Sequence, residues 1–213
     1  MKRSKKKKTI YFIIKRIFDI FVSIIGLILT IPIYLIIRLC YIFTGDFSSV
    51  IYSHTRVGKD GKLFKLYKFR SMVKDADKRL KEMLKNDKEL AKEWKENHKL
   101  ENDPRITGIG KVIRKLSLDE CPQFFNMLIN DMSLVGPRPL IEGELDEHKG
   151  NHEIYESVKP GITGWWASNG RSCTSYEQRL KLEYYYCENC SIWLDIKCII
   201  KTIGAVLCRK GAK

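Results

Sequence analysis

Asp119 and Glu120 stand side by side in "SLDECPQFFNMLINDMSLVGPRPL" (117–140), and Arg138 follows between two prolines. Adjacent carboxylates repel unless a cation relieves them. An aspartate that stays ionised without a base beside it is suited to act as a nucleophile, one way in which aspartate takes part in phosphoryl transfer. Its neighbour points about 100° away round a helix, where it can hold a divalent cation. Arg138 complements the pair. Prolines on both sides restrict its backbone, and a guanidinium grips phosphate through paired hydrogen bonds. Structural roles compete with each of these readings. Ser117-x-x-Glu120 is also a capping-box pattern, and an arginine between prolines also suits a plain turn.

Pro122 constrains the local geometry. With Ser117 as the helix cap, Pro122 would lie one turn inside, where its missing N–H is needed; with Asp119 as the cap, no donor is required there. Both arrangements put Asp119 at a helix N-terminus, where the dipole favours a charged carboxylate.

The elements that must carry these residues begin with a polybasic tail, "KRSKKKK" (2–8), which suits anionic lipid headgroups. Ile20–Ile37, "IFVSIIGLILTIPIYLII", is an uncharged run of 18 residues, at the lower limit for crossing a bilayer. It is too long for the apolar region of a leader peptide, and no small-residue cleavage site follows it. Pro32 lies within it, removing a backbone hydrogen bond and crowding the carbonyl of Ile28, so a kink is expected. Thr30 is a candidate to satisfy backbone groups freed there. Basic residues flank the run on both sides: eight Lys/Arg between Lys2 and Arg16, then "KDGKLFKLYKFR". The positive-inside tendency pulls both ends to the cytoplasm, so residues 12–43 are expected to enter the membrane as a helix-break-helix and return to the same face.

Beyond it, "SVIYSHTRVG" and "LFKLYKFRSM" read as short strands about the turn "KDGK". Residues 75–101 read as one long amphipathic helix, with Leu80, Met83, Leu84, Leu90 and Trp94 at 3–4 spacing. A helix around Gly110–Lys115 precedes the acidic pair. "KPGITGWW" reads as a turn, and "SYEQRLKLEYYY" and "SIWLDIKCIIKTIGAVL" as helices. The expected fold is α-dominated α+β: a tail (1–11), a re-entrant membrane helix (12–43) and one small cytoplasmic catalytic domain (44–213) with amphipathic interfacial helices and short β pieces.

A length of 213 residues suffices for that organisation, and a net charge of +14 favours anionic partners: nucleic acid, phosphorylated substrates or an acidic membrane. Seven cysteines, with Cys187 and Cys190 as the sole C-x-x-C, lack a second ligand pair and read as free thiols in a reducing compartment. His148 and His152 share i, i+4 spacing, but the glycine between them points to a loop rather than a metal-binding helix face.

The sequence resembles the monotopic phosphoglycosyl transferases of bacteria, the bacterial sugar transferase family. The resemblance rests on "KRIFDI" (15–20), "RVGKDGKLFKLYKFRSM" (56–72), "DPRITGIGKVIRKLSLDE" (103–120), "NMLINDMSLVGPRPL" (126–140), "KPGITGWW" (159–166), "NGR" (169–171) and "SIWLDIK" (191–197). The long helix before "DPRIT", with "GWW" and "SIWLD", is most similar to the undecaprenyl-phosphate galactose phosphotransferase branch. The resemblance implies transfer of a sugar 1-phosphate from a UDP-sugar to polyprenyl phosphate, with release of UMP. This is the first membrane step of surface polysaccharide or glycoconjugate synthesis, at the cytoplasmic face of the cell membrane. It implies Asp119 as covalent nucleophile and Glu120, with Asp119, at Mg²⁺. It further implies that Arg138 and Arg171 bind substrate and that Lys68, Arg70 and Arg114 face phosphates. Implied partners are the UDP-sugar, polyprenyl phosphate and anionic lipids, with a homodimer as an allowed assembly and no nucleic acid. The donor it implies is a UDP-hexose, with a UDP-N-acetylhexosamine as alternative.

Four positions depart from the family pattern: His54-Thr55 before Arg56, Ile31 before Pro32, Ala167 or Ser168 for a glutamine, and Cys190 for a tryptophan. Two other classes compete. A membrane-tethered nucleic-acid-binding protein would suit the charge but gain nothing from Asp119–Glu120. A scaffold or transporter subunit would show further apolar spans.

Overall fold

The computed structural model describes residues 2–97, 100, 103–169 and 174–207. Helix dominates, with four short strands among the described residues. The chain divides into two compact units, residues 1–31, 53–68 and 120–213 in one and 32–52 and 69–119 in the other. Helix α1 (Lys2–Phe43) holds Pro32 within it, and the units divide just before that residue.

In the first unit α1 is inside out compared with a soluble helix. Asp19, Ser23 and Thr30 are buried, while Ile17, Phe21, Ile28 and Leu29 are more than 60% exposed. The buried polar groups find partners, as burial demands. Asp19 Oδ1 accepts from Ser133 Oγ (3.1 Å) and from the Leu134 N–H (2.9 Å). Thr30 Oγ1 donates to the Gly26 carbonyl at 2.7 Å, one turn back, rather than to the carbonyl at Ile28 that Pro32 frees. Gly26 is required for packing: a Cβ there would sit 2.5 Å from the Phe124 ring. Among the described residues α1 is the one helix long and apolar enough to cross a membrane.

The strands expected around "KDGK" are present as β1 (Ile51–Val57) and β2 (Leu63–Phe69), joined by a 3-10 turn at Lys59–Gly61. Three short helices follow in the chain, α5 (Gln123–Leu128), α6 (Glu144–Glu147) and α7 (His152–Tyr155), together with a second small sheet. In that sheet β3 (Ser133–Val135) pairs in parallel with β4 (Gly161–Thr163), in the register Ser133↔Gly161 and Val135↔Thr163. "KPGITGWW" therefore supplies a strand and the start of α8 (Trp165–Asn169), not the expected turn. Close approach explains it, since a Cβ on Gly136 would lie 2.3 Å from the Lys159 carbonyl. Helices α9 (Tyr176–Asn189) and α10 (Ile192–Leu207) close the unit, with Ser175 and Gln178 forming a capping box for α9. Val135, Val158, Tyr186, Leu194 and Cys198 form its main apolar cluster.

The second unit contains α2 (Ala76–Asn86), α3 (Lys88–Asn97) and α4 (Gly108–Lys115). The single helix expected over 75–101 is divided at Asp87. That residue is extended, and its carboxylate accepts from the Glu89 and Leu90 N–H groups at 2.9 and 3.1 Å, starting a new helix. Tyr41, Val50, Phe69 and Ile113 are buried within this unit.

Candidate active site

The acidic pair lies in a 3-10 turn, Leu118–Glu120, between α4 and α5. The expectation that Asp119 caps a helix is corrected here. Pro122 is the N-cap of α5 and no side chain caps it. Ser117, at φ 54°, takes the chain through the left-handed region immediately before the turn. Asp119 and Glu120 are half-buried. Lys68 Nζ donates to Glu120 Oε1 at 3.3 Å, bringing together two residues 52 apart in the chain. Both side chains are partly exposed, so the pair is screened and adds little to stability; its effect is positional.

Among the described residues no three His, Cys, Asp or Glu side chains gather as an all-protein metal cage. Mg²⁺ requires less, since one or two carboxylates suffice when substrate phosphates and water complete the octahedron. Glu120, with its side chain 44% exposed, has an open face for such sharing, and the residues fit that mode.

Arg138 is held by its backbone. Its N–H donates to Glu183 Oε1 (3.1 Å) and its carbonyl accepts from the Tyr155 hydroxyl (2.9 Å). Pro137 is fully buried before it, and the Gly136 N–H donates to the Thr163 carbonyl at 2.8 Å. The side chain is exposed, with its guanidinium 5.9 Å from the centre of the Trp166 ring.

Arg179 lies on the same ring, at 5.0 Å, and on Tyr176 at 4.9 Å; it pairs with Glu144 at 3.3 Å. Its Nε and Nη2 and the Oε2 of Glu183 are buried without hydrogen-bond partners. Burial pushes the Glu183 carboxyl up to about 7, opposed by the Arg138 N–H and the charges of Arg179 and Arg138. Sequence reasoning missed Glu183, Arg179 and Trp166 as supports of Arg138. "SYEQRLKLEYYY" signals a helix, but not which of its charged residues turn inward.

The other basic residues differ. Arg70 is 8% exposed, and its donors are committed to Asp46 Oδ2 (2.8 Å), the Ser49 carbonyl (2.8 Å) and the Met72 carbonyl (3.3 Å). Its guanidinium also lies 4.4 Å from the Tyr41 ring centre. Arg70 thus braces its own unit. Arg114 is exposed, with Nε donating to Ser71 Oγ at 2.9 Å. Arg171 lies outside the described residues.

Cys187 and Cys190 are free thiols, and burial raises the pKa of both. His152 lies between Glu156 (2.6 Å) and Asp146 (2.8 Å), whose hydrogen bonds raise its pKa, whereas His148 stacks on Tyr176. The two histidines face different partners.

The chain matches the bacterial sugar transferase family over residues 10–209 and belongs to it. It is 48% identical over 199 residues to the undecaprenyl-phosphate galactose phosphotransferase of Salmonella typhimurium. It is 47% identical over 199 residues to the UDP-galactose-lipid carrier transferase of Erwinia amylovora. Each match covers 93% of this chain and 41% of the relative. An exopolysaccharide production protein of Sinorhizobium fredii is 40% identical, over 93% of this chain and 87% of its own length. The chain thus spans about two fifths of the first two relatives and most of the third.

Proposed function

We propose that this chain is a phosphoglycosyl transferase that moves a sugar 1-phosphate from a UDP-sugar to undecaprenyl phosphate, opening a surface-polysaccharide pathway. The observation that carries the reading is Lys68 on Glu120 at 3.3 Å, with Asp119 adjacent in the chain. A cation already stands at the acid where diphosphate charge would have to be held. An Asp119 carboxylate oxygen attacks the sugar-bearing phosphorus, the anhydride P–O bond breaks, and UMP leaves with that bond's electrons. A phosphate oxygen of the lipid then attacks the acyl phosphate, freeing Asp119 and forming the lipid diphosphate sugar. Arg138 faces the phosphates from a fixed backbone, and Arg114 and Arg171 supply further positive charge. Mg²⁺ held at Glu120, with Asp119 beside it, would neutralise developing charge on the phosphate oxygens. The names of the two galactose-transferring relatives support UDP-galactose as the donor.

Incubation with UDP-galactose and Mg²⁺ without lipid should leave a hexose-phosphate mass on the Asp119 peptide and release UMP. Asp119→Asn should lose essentially all turnover, and Glu120→Gln should weaken the metal dependence. Full turnover in Asp119→Asn would end the reading. A preference for a UDP-N-acetylhexosamine would reassign the donor alone.

Topology belongs to the same proposal. Apolar residues outside and polar ones inside suit a helix in lipid. With basic residues at its start and soon after its end, α1 re-enters the cytoplasmic face, with Pro32 as the means of turning. Single cysteines at Lys5 and Asp60, in a background lacking the seven native ones, should both resist an impermeant thiol reagent in intact cells. Labelling at residue 5 alone would establish a span.

A further inference from the structure

The first half of α1 borders a cavity that shares no lining residue with the acidic turn or with Arg138. It offers about 130 Å³ of room, where roughly 10–15 Å³ of such space holds one water. A tetrahedral phosphate group fits. Lys15, Arg16, Lys59 and Lys159 line it, together with one carboxylate, Asp19.

The charge balance there is unequal. Lys15 is matched, with Asp195 at 2.7 Å. Asp19 is buried, with Oδ1 occupied by Ser133 and Leu134. Arg16 donates to the carbonyls of Met127 and Leu128 at 2.7 and 2.8 Å, capping the end of α5 with neutral acceptors. Lys159 donates to Asn130, also neutral. Among the described residues no carboxylate forms an ion pair with Arg16, Lys59 or Lys159. Burial and repulsion from Arg16 and Lys59 lower the Lys159 pKa, while Asp19 and Asp131 oppose this. Three cations crowded into a cavity with so few counter-charges constitute an anion site.

Surroundings identify the anion. Phe12, 40% exposed, lines the cavity, while Ile13, Ile17 and Phe21 expose an apolar face on the opposite side of α1. In the membrane setting proposed above, that face lies in lipid. The phosphates concentrated beside the cavity are then those of lipid headgroups, and an anionic headgroup meets the cations without its acyl chains entering. We propose that this cavity is a binding site for the headgroup of an anionic phospholipid, separate from the transferase site.

The full chain in a neutral detergent would be titrated with dihexanoyl-phosphatidylglycerol and adducts counted by native mass spectrometry. One saturable molecule per chain is expected. Lys59→Ala with Lys159→Ala should weaken it at least about ten-fold, and Lys59→Arg with Lys159→Arg should keep it. Dihexanoyl-phosphatidylcholine should bind about ten-fold more weakly, and inorganic phosphate at equal concentration should not displace the lipid. Unaltered phosphatidylglycerol binding by the folded double-alanine variant would overturn the site. Equal binding of phosphatidylcholine would overturn its charge selectivity, and displacement by phosphate would reassign it to a free anion. UMP release followed on the same samples should persist in both variants, keeping this test separate from that of the transferase reading.

Discussion

Arg70 and Arg138 were both expected to meet substrate phosphates, and the protein holds them in opposite ways. Arg70 is held by its side chain, every branch of the guanidinium bonded within its own unit. Arg138 is held by its backbone, with N–H and C=O both engaged and the guanidinium left in the open. A buried charge must be paired, so a committed guanidinium cannot also serve a ligand without a large loss. A backbone clamp with a free side chain fixes direction while leaving the chemistry available. The first arrangement stabilises and the second positions.

The sharpest way to break this contrast is at Arg138. Arg138→Ala should lower turnover about 10³-fold, the scale of losing a fixed transition-state cation, with an unchanged melting temperature. Arg138→Lys should recover only part of it, because an ammonium lacks the paired donors. A large fall in stability would show that the side chain braces the fold after all.

Arg70 should behave in reverse. Arg70→Met keeps the aliphatic bulk but leaves the Asp46 carboxylate with the Ser48 N–H and without its cation, and removes the guanidinium from the Tyr41 ring. The expected loss is about 3 kcal/mol of stability, read by chemical denaturation. Turnover per folded molecule should change little. A selective loss of turnover would return Arg70 to the phosphate-facing role expected from its motif.

This difference marks how far the sequence could be read. The apolar α1 was legible because eighteen uncharged residues have few other stable settings, and the acidic pair because adjacent carboxylates need a reason. Asp19 was less so. It precedes the apolar run, and its burial depends on Ser133 and Leu134, more than 110 residues away. Asp87 carried a readable N-cap signal, yet the 3–4 apolar spacing runs across it and suggested one helix. Arg70 and Arg138 were indistinguishable in kind, because what separates them is whether the carboxylate arriving from elsewhere in the chain meets the guanidinium, as Asp46 does, or the backbone N–H, as Glu183 does. Glu183 was the least legible. On a helix rich in Lys, Glu and Tyr, nothing local says that position 183 faces Arg138.

Glu183 also permits the finest test. Its carboxyl, ordinarily near 4.5, is pushed up to about 7 chiefly by burial. Between those values the folded protein keeps a proton that the unfolded chain has released. Stability is therefore fully present below about pH 4.5 and is lost as pH rises through about 7. At 1.36 kcal/mol per unit the whole change is about 3 kcal/mol. Glu183→Gln retains a carbonyl to accept from the Arg138 N–H and carries no charge. It also leaves a buried amide where Oε2 stood, which offsets about 1 kcal/mol. At pH 8 the variant should be more stable than the parent by about 2 kcal/mol, with the difference gone by pH 5. Turnover should stay within a few-fold, because the acceptor at Arg138 survives. Denaturation midpoints measured from pH 5 to 8 decide the matter. Parallel curves would remove Glu183 as the titrating group. A turnover loss matching that of Arg138→Ala would mean that its charge, and not only its acceptor oxygen, sets the arginine.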